Sequence, residues 1–474
     1  MKNGIDIRSE IKKCIQEAGY TLRGFSKASG IFESHLSMVL NNYLMRPLGM
    51  THLDRINQTL GKPEGCFYDL YVDECFISGK PHRSRVKPFM LRCAELGKQK
   101  EINQVLSRMM DDLDKLPLVF EIAEEIYAGG NPQGAVPFYE CVAENERHQH
   151  DENLAISQYR LFRTALGKDN DANLKAVIRF EPYRNRVPEN YQLDGLLQMI
   201  NVYFNLGMWK EVEFFSEELC NLSETLYRLD LHKRLKSKKY EPLQTERHLV
   251  VYYGYSFLMP SVSLENQGKY QKALDLIANY ADLSWFENLG EVGEKEVAKF
   301  TMWAEANRYT LHLLLGNAEI LPSYTSFLKD KHIQEILPGL ITIVDAANKH
   351  QISIDDVLLE FSDEIQLLKD REYLRSEYYE ERFNLSRCSD LCYQLALYYF
   401  YKKSNDTAIN NVLKSMEMAI IIKQRDVVRC ISLFEEHRIY ATSKQQILYE
   451  SMLKEVRELG ENSQDSRDFF GVGG

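Results

Sequence analysis

The chain has 474 residues, with 58 Lys and Arg against 69 Asp and Glu for a net charge of −11, and 44% of its residues are hydrophobic. This is the composition of a globular chain long enough for more than one domain, and its 25 Gly and 13 Pro are too few for a low-complexity one. No apolar run approaches the roughly 18 residues of a membrane span, and the opening MKNGIDIRSE lacks the apolar centre of a signal peptide, so a cytoplasmic chain with no membrane partner is expected.

Charge is unevenly spread. Residues 1–65 hold nine basic and six acidic residues, a net charge of +3, which leaves −14 for the rest. A basic head on an acidic body fits a polyanion-binding module joined to a part with a different task. In that head, IDIRSEIKKCIQEAG predicts a first amphipathic helix ended by Gly19, and Thr21 caps a short second helix, LRGFSKASG. After Gly30 a third helix starts, ESHLSMVLNNY, so that two short helices flank a glycine turn as in a helix-turn-helix. Pro47 and Gly49 break the chain, Thr51 is read as the cap of MTHLDRINQTLG, and Pro63 introduces a last helix, GCFYDLYVDECF.

This array resembles the phage-repressor-like (XRE) DNA-binding fold over about residues 5–72. Leu22, Phe25, Ile31, Leu36 and Leu40 fall at that family's core positions and Gly30 in its turn. Phe32 departs from the usual capping Ser, Thr or Asp, Ser26 from the usual Ala, and Asn42-Tyr43 from a Gly-basic pair. The resemblance implies that Glu33, Ser34, Ser37 and Met38 read base edges of double-stranded DNA, while Arg23, Asn41 and Arg46 contact phosphates. The module is assigned residues 1–77, and the basic, Pro-containing stretch SGKPHRSRVKP a linker over 78–88.

From residue 89 to 460 helices alternate with short polar turns. In DGLLQMINVYFNLGMWKEVEFFSEELCNL, Leu196, Met199, Ile200 and Tyr203 recur at helical spacing, Gly207 turns the chain, and Val212, Phe215, Leu219 and Leu222 line a second helix. Similar turns, with an apolar or small residue five positions later, occur at Gly97, Gly130, Gly167 and Gly268, and weaker ones at Gly316 and around His350 and Ser404. Together with Trp209, this pattern resembles tetratricopeptide (TPR) units, whose period is roughly 34 residues. The expected fold is therefore all-α, a repressor-like helix-turn-helix domain followed by a TPR-like α-solenoid. The basic stretch after Ser223 is read as a helical extension stopped by Pro242, Pro260 is expected to kink or break its helix, and residues 461–474 form a frayed tail.

In a TPR superhelix the first helix of each unit lines the concave wall, and residues six and two before the turn glycine face inward. Here these are Asn201 and Asn205, two amides on one helix face able to clamp a peptide backbone. The same register gives Val262 and Asn266, Thr310 and Leu314, and Tyr398 and Lys402, while Arg228 and Arg308 are candidates for a peptide carboxylate. The nine cysteines have no paired loop spacing, so neither disulfide, metal nor other cofactor is called for, and Cys388 and Cys392 read as core. No P-loop, GxSxG, HExxH or nucleotide fingerprint occurs, and no enzymatic activity is expected.

A repressor-like head followed by TPR-like hairpins resembles the RRNPP peptide-pheromone receptors of Gram-positive bacteria and their phages, arbitrium receptors included. That resemblance implies a cytoplasmic homodimer whose repeats bind a short signalling peptide and so alter DNA binding. The dimer is expected to form through C-terminal hairpins, around LCYQLALYYFY. The alternative is a TPR protein-interaction adaptor with a degenerate head.

Overall fold

The computed structural model describes residues 6–41, 48–148, 151–236, 243–329, 331–369, 381–422 and 427–462. Every regular element among them is helical. The chain divides into two compact units, Met1–Arg247 and His248–Gly474.

The first unit opens with α1 (Ile7–Glu17), α2 (Leu22–Ser29), α3 (Glu33–Asn41), α4 (Met50–Thr59) and α5 (Tyr68–Tyr71), followed by a 3-10 helix over Val72–Gly79. The Thr21 hydroxyl accepts from the Gly24 amide at 3.1 Å, and Gly30 ends α2 in the left-handed region at φ 67°, a conformation that costs a residue with a Cβ. Phe25, Ile31, Leu36 and Leu40 are buried and Leu22 packs on them. Thr51 does not cap α4. That helix begins one residue earlier with Gly49 as its cap, which has no side chain to bond the free amides.

Four helical hairpins complete the unit: α6 (Arg83–Glu95) with α7 (Gln99–Met109), α8 (Leu116–Ala128) with α9 (Pro132–Asn145), α10 (Glu152–Ala165) with α11 (Asn170–Phe180), and α12 (Glu189–Asn205) with α13 (Trp209–Lys236). The stretch expected to be a linker, residues 78–88, is helical from Arg83 onward, with Pro88 inside α6. Its basic side chains meet carboxylates there: Arg83 and Lys87 reach Glu121 at 2.6 and 2.7 Å. One hydrophobic cluster runs from Ile7 to Leu161, so head and first hairpins share a core. The extension past Ser223 is part of α13, and Pro242 lies outside the described residues.

The second unit contains α14 (Leu249–Asn266), α15 (Tyr270–Ile277), α16 (Gly290–Leu314), α17 (Leu321–Lys329), α18 (Ile333–His350), α19 (Asp355–Glu360), α20 (Ser362–Leu367), α21 (Glu381–Tyr401), α22 (Asn405–Ile421), α23 (Val427–Glu436) and α24 (Ser443–Asn462). Of the two outcomes expected at Pro260, the break does not occur: α14 continues through it to Asn266. Pro260 removes one amide from the hydrogen-bond ladder, while Leu258, Ser261 and Ser263 beside it are buried, and the Ser261 hydroxyl donates to the Ala273 carbonyl on α15 at 2.9 Å. Cys388 and Cys392 lie in the core, where burial pushes their thiols up to about 12 and about 11. Of the expected tail, Glu461 and Asn462 close α24, and the rest lies outside the described residues.

The hairpins repeat one backbone device. Gly97, Gly130, Gly207, Gly268 and Gly316 all have positive φ, and the amide after each bonds back to the carbonyl five residues earlier, as Lys98 to Cys93 at 2.8 Å and Met208 to Tyr203 at 2.9 Å. The other weaker turns hold Gln351 at φ 55° and Lys403 at φ 59° in the same place. Because the turn fixes where the next helix starts, the residue five positions on enters the core at most of these turns: Ile102, Ala135, Val212, Ala273 and Ala408 are buried, whereas Leu321 after Gly316 is half-buried and Asp356 after Gln351 is exposed. Gly167 breaks the rule. Its φ is not positive; Leu166 leaves α10 extended, and the Asn173 amide side chain bonds both the N–H and the C=O of Gly167, so Asn173 is buried in place of Ala172.

Candidate functional site

On α3 the apolar stripe Leu36, Val39 and Leu40 is buried and fixes the opposite face outward. Glu33, Ser34, Met38 and Asn41 are exposed there and Ser37 is partly so, with the Asn41 amide donating to the Ser37 hydroxyl at 3.2 Å. Arg23 is exposed on α2, and Arg46 lies outside the described residues. Phe32, just before α3, is 84% exposed. α3 is anchored from behind by Arg8 of α1, which is 2% exposed: its Nε donates to the Val39 carbonyl at 2.9 Å, and its terminal nitrogens grip the buried Glu74 carboxylate. This pair spans 66 residues of sequence, and no periodicity announced it.

The first helices of successive hairpins, α6, α8, α10 and α12, touch in series. Their charges alternate in sign. Arg83 and Lys87 face Glu121 and Glu125 of α8; Glu124 of α8 accepts two bonds of 3.0 Å from Arg160 of α10; Arg163 of α10 pairs with Asp194 of α12. Arg160 also lies over the Tyr127 and Tyr191 rings at 4.1 and 4.7 Å, and Tyr159 donates to Asp194 at 2.8 Å. Sequence reasoning missed this ladder, although the one-sign stripes Arg160/Arg163 and Glu121/Glu124/Glu125 were available as a signal.

Along α12, Tyr191, Asp194, Gln198, Asn201 and Asn205 fall on one stripe by helical spacing. Asn201 is half-buried, Asn205 is exposed, and neither amide has a hydrogen-bond partner among the described residues. In the second unit the same register leaves Val262 half-buried and Asn266 and Lys402 exposed, but not its other members. Thr310 is buried against the Tyr324 hydroxyl at 2.9 Å, Leu314 is core, and Tyr398 is buried with its hydroxyl donating to Asp355. Packing of α17 on α16, and of Ile354 and Asp355 at the α19 start on α21, covers the face that spacing alone left open. Asn266 is exposed and bonds the Val262 carbonyl of its own helix at 2.8 Å; Arg228 is exposed and pairs with Glu224 one turn back. Arg308 is exposed on α16. Asn201, Asn205 and Arg228 thus belong to the first unit and Asn266 and Arg308 to the second. Also in the second unit, the half-buried Glu265 carboxyl of α14 is pushed up to about 7 by burial.

Around the C-terminal hairpins, Leu391, Cys392, Leu395, Ala396 and Tyr398 are core residues, so most of the apolar stretch assigned to dimer contact is already used by packing. Tyr401 at the end of that stretch is exposed, as are the apolar side chains of Val428, Ile439, Tyr440, Ile447 and Leu448. Among the described residues no helix is long and apolar enough to cross a membrane, and no group of three or more His, Cys, Asp or Glu is placed to hold a metal.

No protein-family model and no curated protein matches the chain. Among solved structures it is similar to a circular tandem repeat protein with novel repeat topology and enhanced subunit contact surfaces, at 12% identity over 96% of this chain and 97% of that one, with a TM-score of 0.19. A likeness that loose carries no argument about function.

Proposed function

We propose that this chain is a DNA-binding regulator of the RRNPP kind, whose head reads double-stranded DNA and whose helical hairpins bind a short signalling peptide that alters operator affinity. The observation that carries the reading is α3: one face is locked into the core and pinned by Arg8, while Glu33, Ser34 and Met38 are left exposed beyond the left-handed turn at Gly30. Arg23 on α2, and Arg46 by its place in the sequence, would supply phosphate contacts. The amides of Asn201 and Asn205, without a partner among the described residues, support a peptide seat on α12, with Arg228 as a weaker candidate in the same unit; Asn266 and Arg308 are weaker candidates in the second unit by itself.

A single small head offers little surface for specific DNA affinity, which favours a cytoplasmic homodimer. Its contact would use the exposed apolar residues Val428, Ile439, Tyr440, Ile447 and Leu448. The reading assigns no reaction and no cofactor to the chain. One feature favours the second reading, a protein-interaction adaptor: the exposed aromatic ring of Phe32 stands where a polar cap would meet a phosphate. Selection of bound sequences from a random duplex pool tests the first. The expected result is a recurring pair of half-sites about one helical turn apart; a pool that stays random after repeated rounds at low salt would favour the adaptor.

A further inference from the structure

We propose that the cleft walled by α9 and α11, with α10 as its floor, binds a small amphiphilic carboxylate, an acid group on a short unbranched apolar tail. The inference does not depend on the peptide reading. The cleft measures about 500 Å³, within the roughly 300–1,000 Å³ typical of small-molecule sites. It opens at a hairpin whose turn, unlike the others of the first unit, has no left-handed glycine: with Gly167 held by Asn173, Ala172 stays out of the core and lines the cleft with Ala176 one turn later. These two methyl groups stand opposite Val136 of α9, over a floor of Leu161 and Phe162. Small side chains on one wall leave the space empty, and the apolar floor suits a hydrocarbon tail.

The polar edge selects the sign of the head group. Lys175 and Arg179 lie one turn apart on the rim of α11, against a single acid, Glu140, on α9. Lys175 has no ion pair among the described residues, and Arg179 commits only its Nε, to the Gln158 side-chain oxygen at 2.9 Å. Its terminal amino groups therefore stay available to grip a carboxylate. A separate observation points the same way: Thr164 also lines the cleft, and its buried hydroxyl has no hydrogen-bond partner among the described residues. A buried hydroxyl left unpaired is costly and is satisfied by a polar ligand atom.

The test is calorimetric titration of the full chain with octanoate, with octan-1-ol as the uncharged comparison. Octanoate should bind with one-to-one saturation and octanol about tenfold more weakly or less. The double variant Lys175→Ala/Arg179→Ala should lose about tenfold for octanoate and nothing for octanol, and Ala172→Leu, at an exposed position, should fill the cleft and abolish both. Circular dichroism of each variant checks the fold, and the Lys175/Arg179 pair remains decisive if Ala172→Leu disturbs it. No saturable heat with octanoate, equal affinity for octanol, or octanoate binding that survives all three substitutions would overturn the proposal.

Discussion

Removing Glu74 tests how the head holds α3. The carboxylate is 4% exposed and pairs with an Arg8 that is itself 2% exposed, so Glu74→Ala takes the buried counter-charge away from a guanidinium held in the core, where it keeps its Val39 carbonyl bond and has Asp6 at 3.8 Å. Breaking a buried pair from one side costs about 3–5 kcal/mol, whereas replacing both partners by apolar side chains of similar volume is often neutral or stabilising. Glu74→Ala is therefore expected to destabilise the head by about 3–5 kcal/mol, and Arg8→Met/Glu74→Leu to recover most of that. Because the chain has two compact units, a single global transition would mix them. Native-state hydrogen exchange at the amides of α1 and α3 reads the head alone. A loss below about 1 kcal/mol, or a double variant no better than Glu74→Ala, would refute the reasoning, since either result means that the pair is not desolvated as its burial implies.

Four further outcomes are expected. Arg23→Ala should weaken binding to all DNA sequences alike and Ser34→Ala should relax preference at one base pair, each by roughly 1–3 kcal/mol at most, in anisotropy titrations on selected and scrambled duplexes; no change in either sinks the placing of α3 in the groove. Asn201→Ala/Asn205→Ala should cost roughly 1–3 kcal/mol per amide in affinity for the cognate peptide and leave the melting temperature of the free protein nearly unchanged, because neither side chain bonds another of the described residues; a collapsed melting temperature would make them structural. Glu265 is pushed up to about 7 in the fold, so the folded state holds its proton where the unfolded chain has lost it, and stability falls as pH rises from the ordinary carboxyl range through about 7. Glu265→Gln should raise the melting temperature at pH 8 and not at pH 4, and a gain of equal size at both would contradict the burial effect. Lys403→Gly should stabilise by about 0.5–1 kcal/mol, since Lys403 sits at φ 59° where a Cβ is strained, and a loss in thermal unfolding would argue against that turn.

Legibility followed the range of each interaction. The turns at Gly97, Gly130, Gly207, Gly268 and Gly316 could be read in advance because a left-handed cap is a local requirement that glycine meets best, and even Gln351 and Lys403 lay within one residue of the weaker matches. Gly167 misled, since the residue that fixes it, Asn173, works through its side chain. Groove register transferred poorly from α12 to α16 and α21. Spacing says which residues share a face, but Tyr324 against Thr310, and Asp355 against Tyr398, decide whether that face is covered. The Arg8–Glu74 pair and the charge ladder through Arg160 and Arg163 join helices far apart in sequence, and only the fold brings them together.

The central claim, a DNA-binding head governed by a peptide-binding body, is tested most directly by sequencing the genomic fragments that the purified protein retains, with and without a small-peptide extract from its own culture. The account predicts a small set of enriched fragments sharing one motif, with an enrichment that changes when the extract is added and is restored when the extract is first treated with a protease. Fragments retained without any motif, or a motif whose enrichment is the same with and without the extract, would contradict it.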